Sequence, residues 1–164
     1  MALQTLLLMR HAKSSWSDAE LTDHQRPLNE RGKRAATDVG AALTARGHAP
    51  QLIWSSDSTR TRETAMRLIR AIPGAQVVNY VPEFYHASAE EVFRYADKQG
   101  EPDVNALMFL GHNPGWSELF QIFTGQSHAF PTAACCVLKR VGDGDWLAPE
   151  SWRAVDIILP RDLE

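Results

Sequence analysis

The run Leu6-Leu7-Leu8-Met9 is apolar at every position. A strand wetted on one face alternates apolar with polar residues, whereas a continuous apolar run needs cover on both faces. That requirement points to a parallel sheet with helices on either side, and such sheets gather ligands beyond the carboxyl ends of their strands. This run ends in Arg10-His11, which delivers a cation and an imidazole at such an end.

The rest of the chain repeats the alternation. A first strand is expected over 3–9, followed by Leu28, Gly32, Ala35, Ala36, Val39, Ala42 and Leu43 at helical spacing, with Gly47 as the stop. Leu52-Ile53-Trp54 reads as a second strand, and Ala65, Leu68, Ile69 and Ile72 as the apolar face of a helix ended by Pro73-Gly74. Residues 77–81 form a third candidate strand. Ser88 with Glu91 has the form of a capping box opening a helix with Val92, Phe93 and Ala96 on one side. A buried strand is expected over 106–110, and Asn113-Pro114 should start a helix, asparagine capping and proline taking the first helical position, with Trp116, Leu119, Phe120 and Phe123 facing the core. Residues 135–138 and 154–159, around the turn-like Gly142-Asp143-Gly144, predict an edge hairpin. The expected fold is α/β, a three-layer sandwich with a mainly parallel central sheet flanked by helices.

The 164 residues fit one domain, 1–164, long enough to bury roughly two thirds of the surface of the unfolded chain. Seventeen basic against 20 acidic residues give a net charge of -3, so no general attraction to nucleic acid or to an anionic membrane is expected. Any anion site must be local. The adjacent Cys135 and Cys136 cannot build a disulfide framework and read as buried thiols of a protein in a reducing compartment. Without a basic leader or a long apolar span, a cytoplasmic location is expected.

Three strand-to-helix junctions carry polar residues that a core does not need: Arg10-His11, the stretch 55–62, and Gly111-His112-Asn113. In a parallel sheet all three emerge on one rim. Phosphoryl transfer is catalysed chiefly by positioning and by stabilising charge on the equatorial oxygens, and the planar donor fork of arginine matches those oxygens. A histidine beside such cations has its protonated form disfavoured, which leaves a neutral ring able to attack phosphorus.

These segments also carry a family resemblance. The stretch ending Met9-Arg10-His11-Ala12-Lys13-Ser14-Ser15-Trp16 resembles the signature of the histidine phosphatase superfamily, and within it the short SixA-like phosphohistidine phosphatases. Arg26-Pro27-Leu28-Asn29-Glu30-Arg31-Gly32, the run from Ser55 to Ala65 and Gly111-His112-Asn113-Pro114-Gly115 resemble that group in the same order. The resemblance implies a phosphoglycerate mutase-like fold, phosphorylation of His11, and a phosphoryl clamp of Arg10, Arg60 and His112. It also implies additional phosphate contacts at Ser14 and Ser17, and Glu83 stands where the superfamily often supplies an acid. Glu83 is therefore either a proton donor or a loop residue ordering the rim. Position 12 is Ala where many members have Gly, and position 57 is Asp where Pro is common.

Other chemistries fit less well. His24, His48, His86 and His128 lack ligand spacing, so neither a metal nor another cofactor is expected. A cysteine phosphatase would need arginine six positions after its cysteine, where Val141 and Gly142 stand. Asp143-Gly144-Asp145 fits a surface turn, Gly115-Trp116-Ser117 lacks the closing glycine of a hydrolase elbow, and Trp146 and Trp152 read as packing. The expectation is a metal-independent phosphatase with a phosphohistidine intermediate, acting on a phosphohistidine-bearing protein or on a small phosphorylated substrate. A non-catalytic phosphate-binding sensor is the reading from another class. The oligomeric state and the roles of Lys13 and Asn113 stay open.

Overall fold

The computed structural model describes residues 2–164. Strands β1 (Thr5–Arg10), β2 (Leu52–Ser56), β3 (Val77–Val81), β4 (Ala106–Gly111), β5 (Cys135–Arg140) and β6 (Trp152–Ile158) form one sheet in the order β3-β2-β4-β1-β5-β6. β1, β2, β3 and β4 are mutually parallel, while β5 runs antiparallel to β1 and pairs with β6 as the expected edge hairpin. Four helices cover it: α1 (Glu30–Ala45), α2 (Thr59–Arg70), α3 (Ala89–Gln99) and α4 (Gly115–Thr124).

The two-residue period of a strand divides the core. Leu7, Met9, Ile53 and Met108 pack with Ala36, Val39 and Leu43 of α1 and Ala65 and Leu68 of α2. Leu6, Leu8, Trp54 and Phe109 pack on the opposite face with Val92 and Ala96 of α3 and Trp116, Leu119 and Phe123 of α4. The apolar run at 6–9 is therefore buried on both sides, at 0% exposure throughout. Cys135 and Cys136 are buried free thiols, and Trp146 and Trp152 are core residues.

Several boundaries differ from expectation. Leu28 and Ile72 lie outside α1 and α2, yet both are buried in the same core cluster, so periodicity registered their burial rather than their helicity. Pro114 stands outside α4, which begins at Gly115, and Asn113 accepts from Ser117 N (3.3 Å) and Ser117 Oγ (3.0 Å). β2 extends through Ser55 and Ser56, whose side chains are fully buried despite their polarity. Among the described residues no helix is long and apolar enough to cross a membrane.

Two glycines bring the functional loops together. A Cβ on Gly32 would stand 2.1 Å from Lys13 O, so its absence lets α1 start against the loop after β1. A Cβ on Gly115 would stand 2.0 Å from Ala87 O, and the same logic brings the start of α4 against the segment entering α3.

Candidate active site

His11 leaves the end of β1 and is held by its backbone, donating to Gly111 O and accepting from Ala133 N, both at 2.9 Å. Its ring Nδ1 donates to Ala12 O at 2.7 Å. A carbonyl can only accept, so Nδ1 carries the proton and Nε2 keeps its lone pair. Arg60 Nε lies 3.4 Å from that lone pair. Burial pushes the His11 pKa down to about 4, and the charges of Arg60, Arg10 and Arg26 act the same way against the opposing pull of the Ala12 carbonyl. The ring is neutral at pH 7.

Arg60 sits in the first turn of α2 and is 2% exposed. Its carbonyl accepts from Thr64 Oγ1 at 2.7 Å, and Thr64 Oγ1 in turn accepts from Ala12 N at 3.0 Å, which ties α2 to the His11 loop. Arg10 donates from Nη1 to Phe130 O at 3.0 Å. His112 ends the β4 junction with its ring centroid 5.2 Å from that of His11, and its Nε2 meets Ser56 Oγ at 2.8 Å. Burial, followed by the charges of His11, Arg60 and His86, holds His112 well below the usual imidazole range against the opposing effect of Asp23. In the tautomer where Ser56 donates to Nε2, the proton of this neutral ring sits on Nδ1. Arg10 Nε and His112 Nδ1 are both buried without a hydrogen-bond partner among the described residues, so two polar nitrogens in the wall of this site are left over by the fold.

Arg10, His11, Arg60 and His112 thus line one cleft of about 370 Å³, together with Lys13, Ser14 and Asn113. The expected convergence of three junctions is present. The same cleft holds residues to which the sequence reading gave no role: Trp16, Asp23, Arg26, His86 and Thr132. Arg26 is 7% exposed, donates to Ser14 Oγ (2.7 Å) and Asp23 Oδ1 (3.2 Å), and lays its guanidinium 3.5 Å over the Trp16 ring. Asp23, in a 3-10 turn Asp23–Gln25, accepts from Arg60 Nη1 through its carbonyl (2.6 Å) and from Arg60 Nη2 through Oδ2 (3.0 Å). Oδ2 also meets Tyr85 Oη at 2.5 Å and His86 Nε2 at 2.9 Å. Burial opposes ionisation of Asp23, but the hydrogen bonds from Tyr85, His86 and Arg60 outweigh it and hold the carboxyl far below its usual range.

Two expected site residues stand apart from this cluster. Ser17 is exposed and pairs its hydroxyl with Ser15 Oγ at 2.8 Å. Glu83 lies exposed in the 3-10 turn Pro82–Phe84 and is not among the residues lining the cleft; its charge acts on Tyr95 of α3, raising the phenol pKa after burial has done so. The next residue, Phe84, is fully buried, so the turn sends Phe84 into the core and leaves Glu83 in solvent. Among the described residues no group of three or more His, Cys, Asp or Glu is placed to hold a metal ion.

A family model described as the histidine phosphatase superfamily (branch 1) matches residues 6–86, which include His11 and Arg60. The chain belongs to the histidine phosphatase superfamily. A chloroplastic protein of Arabidopsis thaliana, itself uncharacterized, is 35% identical over 94% of this chain and 77% of its own length. Among solved structures, a candidate phosphohistidine phosphatase SixA from Agrobacterium tumefaciens superposes with a TM-score of 0.82 at 28% identity, covering 98% of this chain and all of the other. A second candidate SixA, from Nakamurella multipartita, gives 0.76 at 27% identity and covers 96% of both chains. This member of the superfamily is SixA-like, a phosphatase with a phosphohistidine-type mechanism on a phosphoglycerate mutase-like fold.

Proposed function

We propose that the protein removes phosphate from phosphohistidine on another protein, by two in-line transfers through His11 and without a metal. The carrying observation is the His11 ring: Nδ1 is tied to Ala12 O, so Nε2 presents its lone pair into a cleft ringed by guanidiniums. In the first transfer His11 Nε2 bonds to phosphorus as the substrate P–N bond breaks, and the leaving imidazole takes a proton. In the second, water bonds to phosphorus, the His11 N–P bond breaks, and inorganic phosphate leaves. Arg60 and Arg10 stabilise the moving charge, and the spare Nδ1–H of His112 donates to a phosphoryl oxygen. Arg26 adds positive charge and aligns Ser14, whose hydroxyl faces the same cleft.

The protein substrate is supported by what surrounds the cleft. Trp16, which lines the cleft, is 77% exposed, so this wall opens to solvent. Through Lys13 and Thr132 the cleft adjoins a larger depression of about 510 Å³ in which Lys13, Arg31, Arg34 and Arg161 outnumber Asp38 and Glu164. A basic floor beside an open site suits an acidic protein face better than a small metabolite that must be enclosed. The catalytic unit is taken to span 1–164, in a reducing compartment such as the cytoplasm that keeps Cys135 and Cys136 as thiols.

The test is release of phosphate from a phosphohistidine-bearing phosphotransfer domain compared with a panel of phosphoesters. Preference for the phosphohistidine is expected, and clear preference for the esters would transfer the site to small substrates. In parallel, intact mass after mixing with phosphoramidate should show a transient gain of one phosphoryl group that His11→Ala lacks. Persistence of the adduct in that variant would remove His11 from its role, and absence of any adduct in the parent would leave a binding module.

A further inference from the structure

We infer that His86, oriented by Asp23, is the proton-transfer group of this site: it protonates the leaving atom in the first step and deprotonates the attacking water in the second. The inference rests on the two-step reading above. A group that performs this task must line the cleft, exchange a proton near neutral pH and be held in one orientation.

The other residues of the cleft are committed elsewhere. Arg10 and Arg60 remain cations at any working pH. His11 is the nucleophile, and His112 is a buried neutral ring whose Nε2 is taken by Ser56. Asp23 is fixed as a carboxylate by Arg26 on Oδ1 and by Arg60, Tyr85 and His86 on Oδ2, and burial followed by Asp23 raises the Tyr85 phenol, so neither releases a proton near neutrality. Glu83 lies outside the cleft.

His86 meets each requirement. It lines the cleft with the phosphoryl clamp, its ring centroid 5.0 Å from that of His112 and 4.2 Å from that of Tyr85. Its Nε2 donates to Asp23 Oδ2 at 2.9 Å, which fixes the ring and leaves Nδ1 as the exchanging nitrogen. The side chain is 52% exposed, so Nδ1 can be recharged from solvent between turnovers. Its backbone sits at φ 50, a left-handed conformation uncommon for a residue with a side chain and found preferentially where function requires it. That turn sends the chain inward three residues after the outward-facing Glu83. The charged and titratable groups around His86 are Asp23 from the 3-10 turn, Tyr85 from its own loop and His112 from the β4–α4 junction, with Arg60 of α2 on the far side of the Asp23 carboxylate and His24 behind Tyr85.

The protons balance. The acid form of His86, with Nε2–H on Asp23, gives the Nδ1 proton to the leaving nitrogen or oxygen and becomes neutral. It then takes a proton from water as that water attacks phospho-His11, and returns to imidazolium while Asp23 stays ionised throughout.

The experiment uses His86→Gly, because glycine accepts the positive φ without strain, and separates the two steps by rapid quench with p-nitrophenyl phosphate and with an alkyl phosphate. Phosphorylation of His11 by the alkyl phosphate should slow on the order of 100-fold, and phosphorylation by p-nitrophenyl phosphate, whose leaving group needs no proton, by less than about threefold. Hydrolysis of the phosphoenzyme should slow on the order of 100-fold for both, so it accumulates, and added imidazole should restore turnover. Asp23→Asn should change the pH profile of the alkyl phosphate reaction more than that of the nitrophenyl ester. Equal slowing of both phosphorylation steps, or no response to imidazole, would overturn the assignment of His86. Failure of the parent protein to form any phosphoenzyme would instead overturn the two-step reading beneath it.

Discussion

The floor of the cleft and its rim are held in place by different means. His11, Arg60 and His112 are 7%, 2% and 2% exposed, and they hang from the end of β1, the first turn of α2 and the end of β4. Trp16, Asp23 and His86 lie on loops, where Trp16 is 77% exposed and Asp23 and His86 are 41% and 52% exposed at their side chains. Floor residues take their positions from sheet register, with Arg10 opposite Gly111 across the β1–β4 pair. Rim residues take theirs from contacts among loops and with the floor, Asp23 gathering bonds from Arg26, Arg60, Tyr85 and His86, and Trp16 lying under the Arg26 guanidinium. The floor is thus suited to stabilising a fixed charge distribution, and the rim to meeting substrates and moving protons.

Changes to the floor should be the most damaging. Arg60→Ala removes a preorganised donor and should lower kcat on the order of 100- to 1000-fold, with the KM for substrate changing less; steady-state kinetics showing near-normal turnover would place the phosphoryl charge elsewhere. The floor should also make the fold sensitive to acid. Because the His11 pKa is lowered from 6.5 to about 4, the unfolded chain binds a proton at His11 that the folded protein refuses between those values. Stability should therefore fall as pH drops through that window, by roughly 3 kcal/mol from His11 alone. Urea titrations at pH 7 and pH 4.5 should show the loss, and His11→Asn should flatten it; parallel slopes for the two proteins would show that His11 titrates normally.

Rim changes should be milder and substrate-dependent. Reversing charge at Arg34 and Arg161 together should lower kcat/KM for a phosphohistidine-bearing protein by about tenfold, with a steeper salt dependence in the parent than in the variant. An unchanged value would mean that the basic depression is not a docking face. Glu83→Gln should be the smallest effect, less than about twofold in turnover, as expected of an exposed substitution away from the cleft. A loss of 100-fold would return the proton donor to Glu83 and erase the division drawn above.

That division also explains what could be read from the residues alone. Arg10, His11 and His112 stand at the ends of apolar runs, so strand periodicity locates them, and Arg60 follows a short strand into an amphipathic helix. The hairpin of β5 and β6 and the capping box at Ser88 and Glu91 were legible for the same local reasons. Asp23 and Arg26 follow no period. Their places depend on the chain doubling back, with Ser14 bridged to Leu28, Ser15 N donating to Pro27 O at 2.8 Å and Asn29 N to Lys13 O at 3.0 Å. The basic character of Arg26 was visible in its block, but nothing nearby distinguishes Asp23 from Asp18. His86 was hidden because a left-handed histidine leaves no trace in hydrophobic pattern. Position along the family pattern left Glu83 as either an acid or a loop residue, and the turn at 82–84 leaves that side chain exposed.

The missing side chain at Gly115 fixes more than the start of a helix. Because peptide groups of α4 and of Ala87 touch there, the histidine proposed to hold phosphate and the histidine proposed to move protons are spaced by main chain, like the jaws of a locked calliper. Widening that gap would mean parting two backbones rather than turning a side chain.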